Sequence, residues 1–183
     1  MATLYGERWK IKNGTTLGQG GQSHVFRVID VRGDHEGDFA LKRVLNPSRH
    51  DRFRNEIDAI KRLDHPNIIK LVDHSALDVG ASDDKQFLVM PVAEGGDLSR
   101  SDRLGLYKGS IEAVLQVAKQ IAAGLRAAHA VGVIHRDIKP ENILFKGIGH
   151  EIWLTGLRDL PSPGTTAFDR NGRSRRAALL YGT

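Results

Sequence analysis

The chain has 183 residues, 40% of them hydrophobic and 27% charged, with a formal net charge of +5 at neutral pH. That length supports one domain with a real core, or two small lobes sharing one, and the composition is that of an ordinary globular protein, not of a disordered or fibrous chain. With no cysteine, disulfides and thiolate metal sites are excluded.

The opening MATLYGERWK has no apolar run behind a basic stretch, which argues against a secretory signal. The longest apolar region, residues 114–134, is broken by Gln116, Lys119, Gln120, Arg126 and His129 and is too polar to span a membrane. The positive balance suits anionic ligands such as nucleotides, nucleic acid or an acidic protein surface, and alone it decides nothing.

In chain order, residues 15–17 and 25–31 are predicted strands on either side of a Gly-rich stretch. Residues 32–38 are turn-rich, and 39–44 resume an apolar, strand-like pattern. From 51 to 63 the period changes: Phe53, Ile57 and Ile60 share one helical face, with Glu56 beside them. Pro66 marks the exit from that helix. Residues 68–74 and 86–92 are strand candidates separated by a polar loop, and Glu94-Gly95-Gly96-Asp97 breaks the pattern as a linker would. Ile111, Val114, Leu115, Ala118, Ile121, Ala122, Leu125 and Ala128 then recur at three- and four-residue spacing, predicting a long amphipathic helix. Two short apolar runs come next, at 142–145 and 151–154. Residues 161–176, rich in Pro, Gly, Ser, Thr and Arg, read as a long loop.

Three strings carry chemistry. Gly18-Gln19-Gly20-Gly21-Gln22-Ser23-His24-Val25 lies between two predicted strands, where small residues let backbone N–H groups approach phosphate oxygens. A strand, not a helix, comes after it, which argues against a dinucleotide-binding or Walker-type loop. Any Gly-rich hairpin gives a similar string, so the pattern is weak alone. Lys42 ends Ala40-Leu41-Lys42 on the next strand and could neutralise phosphates if a carboxylate held it. Glu56, on the apolar stripe of the following helix, is the candidate, because a charge facing a core needs a partner. In His135-Arg136-Asp137-Ile138-Lys139-Pro140-Glu141-Asn142, Asp137 would align an attacking hydroxyl, Lys139 would balance phosphoryl charge, and Asn142 would ligate magnesium.

On these strings the chain resembles the protein kinase family from about residue 9 to residue 183, and Lys139, two residues beyond Asp137, matches the Ser/Thr type. The resemblance implies an α+β fold. Residues 9–93 would be an N-terminal antiparallel β-sheet lobe with one main helix, and 94–183 a partial, mainly helical C-terminal lobe. It implies ATP and Mg²⁺ as cofactors and transfer of the γ-phosphate to protein Ser or Thr hydroxyls. Gly18, Gly20 and Val25 match the Gly-rich loop, with Ser23 where a third Gly usually lies; Lys42 and Glu56 match the phosphate-binding Lys and its helix partner. Met90 falls at the gatekeeper, Val92 and Ala93 in the hinge, Asp97 near the ribose, and Val25, Ala40 and Leu144 around the adenine. A cytoplasmic protein, with nucleic acid disfavoured as a partner, is the expectation.

The sequence also departs from that pattern. Thirteen residues after Asn142 the family presents Asp-Phe-Gly, whereas here Leu154-Thr155-Gly156-Leu157 reads as a missing Asp-Phe pair. The Asp bridges magnesium to the phosphates and the Phe packs between positions matched by His135 and Ile60, so weaker catalysis and a looser lobe alignment are expected. Asp159 is a nearby substitute. The chain stops at a Gly-Thr resembling the one before the family's Ala-Pro-Glu, so apolar surface on the 114–125 helix should be open to a partner protein. Thr165, Thr166 and Ser174 are candidate phosphate acceptors, with Arg136 to pair with them. A catalytically impaired pseudokinase, binding nucleotide or partner proteins, is the alternative to an active enzyme.

Overall fold

The computed structural model describes residues 4–20, 23–44, 50–75, 86–100, 102, 105, 107–157, 167–168 and 174–175. Strands β1 (Leu4–Tyr5), β2 (Trp9–Gly20), β3 (Ser23–Asp30), β4 (Phe39–Val44), β5 (Asp73–His74) and β6 (Phe87–Pro91) form one sheet in the order β1-β2-β3-β4-β6-β5. Every pairing in it is antiparallel.

Strand alternation sorts the side chains onto two faces. One face carries Val28, Leu41, Phe87 and Val89, buried with Tyr5 and Trp9. The other carries Ala40, Leu88 and Met90, buried against Phe53 and Ile57 of helix α1 (His50–Lys61). The helix forms where the sequence pattern changes period, and its inward stripe carries Glu56 toward the second face.

Two strands differ from expectation. β2 begins at Trp9, well before residue 15, because its register against β3 shifts between Ile11 and Thr16; the polar Asn13 and Gly14 sit inside that irregularity and do not end the strand. Of residues 68–74 only Asp73 and His74 join the ladder. Ile68 and Ile69 instead meet Leu154, Ile69 N donating to Leu154 O at 3.0 Å, while Val72 N donates to Val89 O at 2.8 Å. This segment is shared between the sheet and the C-terminal half of the chain.

Beyond the sheet lie helix α2 (Ile111–Ala130), a 3₁₀ turn (Pro140–Asn142) and the hairpin β7 (Ile143–Phe145)–β8 (Ile152–Leu154). Ser110 caps α2, its hydroxyl accepting from Ala113 N at 3.3 Å, and Gly132, at φ +76°, ends it. α2 crosses β8 closely at Gly124, where an added Cβ would stand 2.9 Å from Leu154 Cδ1 and 3.2 Å from Asn67 O. Asn67 Nδ2 donates to Gln120 Oε1 (2.9 Å) and Ile152 O (3.2 Å), tying the link after α1 to both α2 and β8.

Ile111, Val114 and Leu115 of α2 are exposed by 78%, 47% and 51%. Two short strands, β9 (Ala167–Phe168) and β10 (Ser174–Arg175), pair within the tail that reads as loop. Asp159, Thr165, Thr166, Arg173 and Arg176, residues 180–183 and the 78–85 loop lie outside the described residues. The α+β arrangement implied by the resemblance, a sheet lobe with one main helix and a partial helical lobe, is the fold observed.

Candidate functional site

A cavity of about 450 Å³ opens between the sheet and the β7–β8 hairpin. The sheet contributes Leu17, Gly18, Ser23, Val25, Arg27, Ala40, Lys42, Met90 and Pro91, the link after β6 contributes Val92, Ala93, Glu94, Gly96, Asp97 and Arg100, and the far wall holds Glu141, Asn142, Leu144, Thr155 and Gly156. Gly18, Val25, Ala40, Lys42, Met90, Val92, Ala93, Asp97, Asn142 and Leu144 therefore meet on one surface, although they are widely separated along the chain. Val25 and Leu144 pack against the cluster of Ala40 and Met90, making a flat apolar slot. Gly20 pairs with Ser23 at the end of the β2–β3 hairpin.

Glu56 stands behind the cavity. Lys42 Nζ is 2.6 and 2.8 Å from its two carboxylate oxygens, with the Glu56 side chain 12% exposed. Val25 pairs directly with Lys42 across β3 and β4, so strand register presents the ammonium beside the apolar slot. The acid comes from one turn beyond Phe53 on α1. The Lys42–Glu56 pair is thus formed within the sheet lobe.

Asp137, Lys139 and Asn142 converge at the turn before β7. Lys139 Nζ lies 3.4 Å from Asp137 Oδ2, and Asn142 Nδ2 donates to Asp137 O at 2.7 Å. Asp137 and Lys139 are beside the cavity and not on its wall. Arg136 holds φ +59°, a left-handed conformation that a bulky residue adopts only at a cost of about 1–3 kcal/mol, and it turns the chain between buried His135 and half-exposed Asp137.

The hairpin register decides what replaces the family's acid. Ile143 pairs with Leu154, and Thr155 N donates to Asn142 O at 3.1 Å. The hairpin therefore runs at full length to Thr155, which stands thirteen residues after Asn142 and directly across from it. A two-residue gap is not required: Thr155 takes the place of the acid, and Gly156, at φ +75°, comes next. Leu157 is fully buried with Ala59 of α1, Ile68, Ala128 of α2, and Val133 just beyond that helix. It supplies an apolar joint between α1 and the helical part of the chain.

Sequence reasoning missed the mouth of the cavity. Arg27 forks onto Glu94, at 2.7 and 2.9 Å, and reaches Asp38 at 3.0 Å, joining β3 to the link after β6. Its guanidinium hydrogen bonds hold the Glu94 carboxyl below its usual range, against the smaller opposing effect of burial. Period-two spacing from Val25 places Arg27 on the cavity face and could have found it. Asp97 pairs with Leu144 in an isolated bridge and accepts from the Ser99 backbone (2.9 Å) and hydroxyl. Arg100, which folds over Gly96 and meets Asp102 at 3.1 Å, carries no sequence signal.

Magnesium fits this donor set poorly. The cation favours octahedral oxygen coordination with one or two carboxylates. Here the facing pair is a neutral amide, Asn142, and a neutral hydroxyl, Thr155, Asp137 is engaged by Lys139, and Glu141 is the far-wall carboxylate among the described residues. Among the described residues no three His, Asp or Glu side chains form a group that could hold a metal.

The model of the protein kinase domain matches residues 11–157. Human serine/threonine-protein kinase 16 is 35% identical over 170 residues, covering 90% of this chain and 53% of that protein. Mycobacterium tuberculosis serine/threonine-protein kinase PknL is 36% identical over 140 residues, 73% of this chain and 33% of the other. The rat inhibitor of nuclear factor kappa-B kinase subunit beta is 34% identical over 145 residues, 75% and 18% respectively. The chain spans between about a fifth and about half of the length of these relatives. No helix among the described residues is long and apolar enough to cross a membrane. With a matching sheet lobe, hairpin and helix, and a domain match over most of its length, the chain belongs to the protein kinase family.

Proposed function

We propose that this chain is a nucleotide-binding domain of the Ser/Thr kinase type whose phosphoryl transfer is strongly weakened. The observation that carries the reading is the pairing of Lys42 with Glu56 beside an apolar slot walled by Val25, Ala40, Met90 and Leu144, opposite a neutral Thr155. The slot suits an adenine, the link at Val92 and Ala93 suits its edge, Asp97 suits the ribose, and Lys42 suits the phosphates. Gly18 and Gly20 would bring the hairpin close over them. In this reading residues 9–93 and 94–183 are the two lobes, and the location is cytoplasmic.

A residual enzyme is the second reading, and the Asp137–Lys139–Asn142 constellation favours it. Asp137 would accept the proton-bearing end of a protein Ser or Thr hydroxyl and align its oxygen, while Lys139 would face the transferred group. The lost acid sets the scale: removing one electrostatic stabiliser from a transfer site costs about 10²–10³ in rate. Protein partners would meet the exposed apolar face of α2.

Thermal unfolding with and without ATP tests the reading. Saturating nucleotide, at about 100 times its dissociation constant, should stabilise the fold by about 2.7 kcal/mol. Lys42→Ala should abolish most of that gain. No shift from a folded sample would leave an interaction domain without a nucleotide site.

A further inference from the structure

We propose that the cavity takes ATP as the free anion, without a divalent cation, and that Thr155 is the residue that sets this preference. The inference rests on the nucleotide site argued above and adds the charge state of its ligand.

Charge balance at the far wall points this way. A carboxylate across from Asn142 repels the phosphates of a nucleotide unless a cation stands between them; at about 4 Å two like charges repel by several kcal/mol at the effective dielectric of a protein site. A site with that acid therefore needs the metal. Here Thr155 occupies the place, its backbone N–H fixed on Asn142 O, and its hydroxyl is neutral and can donate to a phosphate oxygen. Asp97 and Glu141 also line the cavity, while two other carboxylates near it are paired with cations. Asp137 faces Lys139, and Glu94 faces Arg27.

Lys42 is a cation of the wall, with Arg27 and Arg100 also on the lining, and it is held in place by Glu56. A magnesium ion brought by the nucleotide would find two neutral oxygens where it prefers carboxylates, and it would compete with Lys42 for the same phosphate oxygens. Losing the acid and losing the need for the ion are, on this geometry, one change.

The test is calorimetric titration of the full chain with ATP in EDTA and again in excess Mg²⁺, for wild type, Thr155→Asp and Asp159→Asn. Wild type should bind at least as well in EDTA as in Mg²⁺. Thr155→Asp should reverse the order, losing about tenfold or more in EDTA through the restored repulsion and recovering in Mg²⁺. Tighter wild-type binding in Mg²⁺ would overturn the proposal, and loss of that tightening in Asp159→Asn would identify the carboxylate that held the ion. A folded Thr155→Asp variant without the reversal would overturn the role of Thr155. Absence of binding in both buffers would instead remove the nucleotide reading on which the proposal stands.

Discussion

At Gly156 the backbone takes φ +75°, and an added Cβ would stand 3.2 Å from the Asn142 side-chain amide. Both facts disfavour a side chain there, so Gly156→Ala should cost about 1–2 kcal/mol of stability, read from the urea midpoint at constant slope. The same variant should weaken ATP binding, because Asn142 must move to admit the methyl group. Single residues were unequally legible in the sequence. Lys42 and Glu56 could be paired in advance because a carboxylate on an apolar stripe requires a partner. Thr155 could be placed only by the β7–β8 register, since Leu154-Thr155-Gly156 is equally consistent with a deletion. Arg100 owes its position to the turn at Gly96, and nothing in its own neighbourhood of sequence announces that.

Elements were more legible than their pairings. β4 matches its expected bounds, and α1 and α2 follow their apolar stripes, because periodicity is local. The stretch 68–74 misled because its apolar residues serve two masters, Leu154 of the hairpin and Val89 of the sheet, and only the folded chain shows which residue answers to which. A close meeting of elements is that of α2 on β8 at Gly124. Gly124→Val should therefore destabilise by about 2–3 kcal/mol through overpacking against Leu154 and Asn67 O, measurable as a fall in melting temperature. Elsewhere on an exposed helix a glycine replacement would raise helix propensity, so the sign of the change is the diagnostic.

For the whole molecule, acid sensitivity arises from ion pairs around the sheet. The Asp30 carboxyl is held down to about 2, first by the Arg8 guanidinium, with burial opposing and the Arg32 backbone N–H adding to the effect. Arg8 Nη2 is 2.6 Å away, and the Asp30 side chain is fully buried. Asp38 and Glu94 are lowered in the same direction, chiefly by Lys12 and Arg27 respectively. A lowered folded value means that the unfolded chain binds more protons as pH falls through about 4, the ordinary carboxylate value. The contribution is thus complete above that pH and disappears progressively toward pH 2. Melting temperature should fall across that window, and Asp30→Asn, less stable at pH 7, should approach wild type at pH 2.

The junction at Asn67, Ile68 and Ile69 also has a consequence in time. The six-stranded sheet closes on partners supplied by the first 91 residues, but the Asn67 amide bonds to Ile152 O, 85 residues further along. During synthesis the sheet can thus assemble while its junction still lacks the partners it will later have. Contacts at such separation are slow to close, because the intervening chain must first be ordered. The last step in making the cavity is accordingly the arrival of its far wall, and until then the apolar slot has one side only.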